Sequence, residues 1–159
     1  MSNIVRLQPD MPAAVLDEEE VTIARLASVL EAAVLDYEID DDGDLYVKDG
    51  LEFPTWVQLI EDKKLVEFFT CFASTGSEGG HVTNSDWMVQ VNEMNITNVG
   101  VQFYLSGKTV WGHYWMSYDG GFNVRQFIKM LRRFSGAFRA GIRFLRDDGP
   151  VLPFGASPR

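Results

Sequence analysis

Cysteine is almost missing from this chain: Cys71 is the only one in 159 residues. A single thiol excludes an intramolecular disulfide and a cysteine-rich zinc fold. Histidine is nearly as scarce, with only His81 and His113. No apolar run approaches the roughly 18 residues of a membrane-spanning helix, and Met1 to Pro12 lacks the apolar centre of a signal peptide. Basic residues are also in deficit, 14 against 23 acidic ones, for a net charge of −9. Such a balance repels nucleic acid and anionic membranes unless the charge is segregated. These absences together lead us to expect a soluble cytoplasmic protein of bacterial style, with no nucleic-acid and no membrane partner.

Hydrophobic residues make up 46% of the chain and aromatics 13%, enough to exclude a wholly disordered chain. The length suits one domain. Residues 1–15, with Pro9 and Pro12 and no periodicity, read as a flexible N-terminal tail. Residues 16–146 read as the single domain, and 147–159 as a C-terminal tail.

Periodicity supplies the elements. Asp17 with Glu20 has capping-box spacing, Glu18 to Glu20 suit a first helical turn, and Leu16 and Val21 have the spacing of a hydrophobic staple. Ile23, Leu26, Ala27, Leu30, Ala33 and Val34 then recur as on a helix reaching about Leu35. Tyr37–Asp40 and Leu45–Lys48 alternate around the turn signal Asp41-Asp42-Gly43-Asp44, which predicts a hairpin. Leu51–Ile60 reads as a strand with Phe53, Val57 and Leu59 on one face, and Leu65–Ala73 as a buried central strand. Ser74–Gly80 reads as a loop. Thr83 is placed to cap a second helix carrying Trp87, Val91 and Met94. Val99–Leu105 and Thr109–Tyr118 read as strands joined at Ser106-Gly107-Lys108. Asn123 and Gln126 open a third helix whose apolar stripe is Phe127, Leu131, Phe134, Phe138 and Leu145. The fold class expected is α+β, in the order α-β-β-β-α-β-β-α with a further strand bracketed in the first run, and an antiparallel sheet with its helices on one face. The Thr109–Tyr118 strand is aromatic on both sides, so what covers the other face is an open question.

Several of these residues resemble the YbjN family of bacterial sensory transduction regulators. Tyr37–Leu45 is similar to the first hairpin of that family. Phe53-Pro54-x-Trp56-Val57 and Leu65-Val66-x-Phe68-Phe69 are similar to its next two strands. Val91-Asn92-Glu93-Met94-Asn95 resembles its second-helix Val-Asn-x-x-Asn motif. Gly120-Gly121 followed by Leu131-Arg132-Arg133-Phe134 resembles its last helix. The likeness spans about residues 20–146 and rests on the order and spacing of these motifs. Met94 stands where the family often has Trp, and Ser106-Gly107-Lys108 where it often has a second Asp-rich turn. The resemblance implies a fold like that of type III secretion chaperones, which dimerise and bind extended segments of other proteins. It implies no catalytic residue and no cofactor.

Four features are candidate sites. Glu38, Asp40, Asp42 and Asp44 fall at the first alternate positions of a calcium loop centred on Gly43, with Asp49 at the last, but the flanks alternate like strands where an EF-hand needs helices. A solvated hairpin turn is the plainer reading, with weak calcium binding left open. The third helix holds Arg125, Lys129, Arg132, Arg133, Arg139, Arg143 and Arg146. These are half of the basic residues, with no acid from Gly120 to Leu145. Elsewhere seven basic residues face 23 acidic ones, a balance of −16. The stripe Arg125, Arg132, Arg139, Arg146 lies about 200° from the Phe127 and Phe134 stripe. It is either a docking strip for an acidic partner or a solvated face paired with the chain's own acids. Trp111-Gly112-His113-Tyr114-Trp115 offers a homodimer seam or a peptide-binding face. Its alternative is burial within one subunit. Cys71 with His81 and His113 lacks a recognisable catalytic pattern, as do Ser74, Ser77 and the glycines around Gly79. Asn92 and Asn95 share one helix face and suit bonds to neighbouring backbone more than a ligand.

The sequence therefore leads to a non-catalytic, cofactor-free and metal-free protein. Its expected role is a YbjN-like regulatory or chaperone-like protein acting through protein–protein binding, as a homodimer with a further unidentified protein partner. The interface residues expected are Trp111, Tyr114 and Trp115 on the strand, and Arg132, Arg139 and Arg143 on the helix. The alternatives are a dedicated acidic dimeric secretion chaperone for one effector, and an enzyme using His113 and Cys71.

Overall fold

The computed structural model describes residues 14–73 and 84–143. The expectations at Ser74–Gly80, His81, Thr83, Leu145, Arg146 and most of both tails lie outside the described residues. In chain order the elements are β1 (Val15–Leu16), a 3-10 turn (Glu18–Glu20), α1 (Ile23–Ala32), β2 (Asp36–Ile39), β3 (Leu45–Asp49), β4 (Thr55–Ile60), a second 3-10 turn (Glu61–Lys63) and β5 (Leu65–Ala73). Then follow α2 (Asn84–Thr97), β6 (Gln102–Ser106), β7 (Thr109–Ser117), β8 (Phe122–Asn123) and α3 (Val124–Ile142). The bracketed strand of the first run is present, so four strands separate α1 from α2 in an α+β fold.

β2 to β7 form one antiparallel sheet in the order β2-β3-β4-β5-β7-β6. β5 and β7 pair over their whole nine-residue lengths, from Leu65↔Ser117 to Ala73↔Thr109. Strand alternation then decides which residues face the helices. Leu45, Val47, Val57, Val66, Phe68, Phe72, Phe103 and Val110 do so, and they share one core with Leu26, Leu30, Trp87, Val91, Met94, Phe127, Leu131, Phe134 and Phe138 from the three helices. Each fully buried Leu or Phe contributes about 1.5–3 kcal/mol from area removed from water.

Local chemistry explains three shifts from the expected boundaries. Asp17 and Glu20 do pair, with the Asp17 N–H donating to Glu20 Oε2 at 2.9 Å, but they close a 3-10 turn and not the helix. Val21 must then turn extended to bury its side chain, so α1 starts two residues later, with Thr22 Oγ1 accepting from Arg25 N at 3.2 Å. α1 ends at Ala32 because Val34 takes a left-handed φ of 58° and Leu35 N–H returns to Leu30 O at 3.0 Å. Leu51–Pro54 does not join β4. Ser135 Oγ, fully buried on α3, accepts from Phe53 N at 2.6 Å and donates to Phe53 O at 2.9 Å, which pins that segment to the helix. Val15, placed in the tail by the sequence, pairs with Asn123, while Leu16 beside it is buried.

Candidate functional site

The face of the sheet opposite the helices carries the candidate site. Alternation puts Trp111, His113 and Trp115 of β7 on it, beside Tyr104 of β6, Glu67, Phe69 and Cys71 of β5, Trp56 of β4 and Tyr46 of β3. Their rings form one continuous ladder. Tyr46 meets Trp56 at 4.4 Å between centroids, Trp56 meets Phe69 at 5.7 Å, and Phe69 meets His113 at 6.0 Å. His113 is the hub. It also stacks on Tyr104 at 5.3 Å, Trp115 at 5.5 Å and Trp111 at 6.2 Å, all within 29° of parallel. Offset stacks in this range add about 0.5–1.5 kcal/mol per pair beyond burial.

One polar contact fixes the hub. His113 Nδ1 bonds the Glu67 carboxylate, which is itself buried in the sheet. His113 Nε2 is shielded from solvent and has no hydrogen-bond partner among the described residues. The ladder is buried in its middle, at Trp56 and Phe69, half-buried at Tyr46, and open at the β6–β7 end, where Tyr104 is 44% exposed and Trp115 41%. Burial, with the nearby Glu67 carboxylate adding to it, pushes the Tyr104 hydroxyl above its usual range, so it stays neutral. Large rings of this kind open to solvent are the composition of an interface centre.

The expected trio on β7 is therefore divided. Trp111 and Trp115 share the open face, but Tyr114 points the other way, stacks on Phe68 at 5.8 Å and packs against the core. Sequence reading missed Tyr104, Trp56 and Glu67 as members of the face. Counting by twos along each strand was the available signal for Tyr104 and Trp56, since Tyr104 pairs with Trp111 and Trp56 with Phe69.

The basic helix resolves differently. Arg125, Arg132 and Arg139 are exposed, opposite the buried Phe127, Phe134 and Phe138. Arg132 donates to Ala33 O at 3.2 Å and Arg139 to Glu52 O at 3.4 Å, while Arg143 is exposed at the end of α3. The two bonded arginines thus meet backbone carbonyls. Among the described residues no α3 cation lies within ion-pair distance of a carboxylate.

The remaining candidates are structural in geometry. The acidic turn joins two strands; Asp40 Oδ1 accepts from the N–H groups of Asp42 and Asp44, both at 3.0 Å, and Gln58 donates to Asp44 Oδ2 at 3.1 Å. Among the described residues no group of three or more His, Cys, Asp or Glu is placed to hold a metal. Cys71 is buried, and desolvation pushes its thiol up to about 11, so it is not a thiolate nucleophile at neutral pH. His113 spends its Nδ1 on Glu67. Asn95 does bond neighbouring backbone: its side chain accepts from Phe103 N at 2.8 Å and donates to Phe103 O at 2.9 Å. Among the described residues no helix is long and apolar enough to cross a membrane.

A six-stranded antiparallel sheet with helices on one side and an aromatic opposite face defines the class: an α+β domain built on one antiparallel sheet. Residues 22–146 match the YbjN family, described as "Putative bacterial sensory transduction regulator", and the chain belongs to that family. Its fold is similar to the crystal structure of YbjN from E. coli, named there as a putative transcription regulator, with a TM-score of 0.63 at 14% identity over 77% of this chain and 89% of that one. It is also similar to a chain of the HopA1–SchA chaperone–effector complex, with a TM-score of 0.53 at 7% identity over 74% of this chain and 90% of that one. No curated protein matches the sequence. The fold expected from the motifs is thus borne out.

Proposed function

We propose that this protein is a non-catalytic regulatory or chaperone-like protein of the cytoplasm that acts through protein–protein binding, and that the aromatic sheet face is its contact surface. A second copy of the chain is the occupant the reading favours. The observation that carries it is the open end of the ladder, where Tyr104 and Trp115 are exposed on the face away from the helices. Rings already stacked on their neighbours lose little side-chain entropy when a partner covers them. The protonated Cys71 and the Glu67-bound His113 support a role without chemistry at these two groups, and the net charge of −9 argues against nucleic acid or an anionic membrane as partner.

Acrylamide quenching of tryptophan fluorescence across a dilution series tests this reading. Trp56 and Trp87 are buried, so Trp111 and Trp115 report the face. The expected result is shielding of Trp115 at high protein concentration, either released on dilution or persisting throughout. Free quenching of Trp115 at every concentration would contradict self-association. A second reading, a dedicated chaperone for one secreted effector, is favoured by the fold shared with a chaperone–effector chain. A neighbouring effector gene whose product binds this protein would support it.

A further inference from the structure

A second surface lies on the other side of the molecule, between α1 and α3. It is a groove of about 300 Å³ with Val29, Ala32, Ala33 and Ile128 forming an apolar floor and Arg125 and Arg132 at its wall. No acid lines it. The single carboxylate of α1, Glu31, accepts a bond from Tyr37 Oη at 2.7 Å, and α3 has none. Arg125 has no partner among the described residues, and Arg132 uses one nitrogen on Ala33 O. A protein carrying −9 overall therefore concentrates unneutralised positive charge around an apolar slot.

The spacing narrows the occupant. Arg125 and Arg132 are seven residues apart on one helix, two turns, or about 10.5 Å along its axis. Two acids seven residues apart on a partner helix have the same separation and lie on one stripe. The positions three and four residues after the first acid then face the floor. The small Ala32 and Ala33 let a helix approach closely. Just past them Val34 is 85% exposed in left-handed backbone, a conformation a branched side chain rarely adopts.

We propose that the α1–α3 groove docks an acidic amphipathic helix of a partner protein, with carboxylates on Arg125 and Arg132 and apolar side chains between them, the helix-in-groove mode of recognition. It is a site separate from the aromatic face. It would let a dimer formed through the sheet present two partner grooves outward.

The test uses the full chain and two displayed libraries of helical peptides of about 16 residues, long enough for four turns. One library fixes Glu at two positions seven apart, the other Lys, and both vary apolar residues between. The Glu library is expected to yield binders and the Lys library none. Arg125→Glu should weaken each binder about tenfold, as loss of a charge-assisted bond does. Lys63→Glu, an exposed charge reversal in the second 3-10 turn, should leave binding unchanged. Arg132→Glu should weaken it at least as much; because that change also removes the bond to Ala33, Arg125→Glu decides. Equal yield from the Lys library, or binders indifferent to Arg125→Glu, would overturn the proposal. So would displacement by a single-stranded oligonucleotide at equal charge, which would mark a nucleic-acid site. A change of oligomeric mass in Arg125→Glu, which would mark a self-contact, would also overturn it.

Discussion

Replacing Asn95 by Ala strikes the edge of the sheet and nothing else in the core. β6 is the terminal strand, and an unpaired strand edge is a template for association. Asn95 on α2 closes it, since its amide accepts from Phe103 N at 2.8 Å and donates to Phe103 O at 2.9 Å, the two bonds a neighbouring strand would make. Two neutral bonds contribute about 1–3 kcal/mol net. Asn95 is itself exposed, so water reaches the freed groups and the loss falls toward the lower end. Ala is also the better helix former, by up to about 0.7 kcal/mol. The expected loss in Asn95→Ala is therefore about 1 kcal/mol by urea unfolding, with concentration-dependent light scattering as the bared edge pairs. Asn95→Asp separates the two bonds. It keeps the acceptor for Phe103 N but sets a carboxylate against Phe103 O. It should therefore be worse than Ala at neutral pH and recover below the carboxyl range, where the protonated oxygen donates. An Asn95→Ala variant as stable as wild type and equally monodisperse would refute the reasoning.

Three further substitutions or treatments probe separate contacts. Gly112→Ala would place a Cβ 2.4 Å and 2.8 Å from ring carbons of Phe138, itself held between Phe53 and Phe103, so a loss of about 1–3 kcal/mol is expected in chemical unfolding. A smaller side chain at position 138 should partly relieve it. Val34→Gly should stabilise the fold by about 0.5–1 kcal/mol, since the left-handed penalty on Val exceeds the added chain entropy of Gly; a lower melting temperature would contradict this. Native Cys71 should resist iodoacetamide at pH 8 and react once unfolded. Because the folded thiol is held up to about 11, the unfolded thiol ionises first, and stability should fall as pH rises from the ordinary thiol range toward 11. Labelling of Cys71 in the native protein would count against its burial.

Much of this molecule was readable from periodicity. The hairpin, β5, β7 and the start of α3 come close to their expected bounds, because each has a clear period and a strong turn or cap there. Asn123, for instance, accepts from Gln126 N at 2.8 Å as its spacing suggested. The start of α1 was not, because the Asp17 and Glu20 pair suits a 3-10 turn as well as a helix, and only the burial of Leu16 and Val21 decides between them. The site was half legible. Trp111 and Trp115 stood out as aromatic, yet Tyr114 was grouped with them although a strand sends neighbours to opposite faces. Glu67 was hidden inside an apolar run, and its meaning depends on His113, 46 residues away in sequence and adjacent only through β5–β7 pairing. The basic stripe of α3 was plain in the sequence, but that Arg132 and Arg139 reach carbonyls of Ala33 and Glu52 required the packing of α3 on distant segments.

On the proposal made above, the aromatic sheet face is where this protein meets a second copy of itself. Light scattering after size exclusion, on wild type and on Trp115→Glu, tests it most directly. Trp115 is exposed and lies off the core, so the variant should fold. Wild type should elute as a dimer and Trp115→Glu as a folded monomer. A monomeric wild type, or a dimer that survives Trp115→Glu, would contradict it.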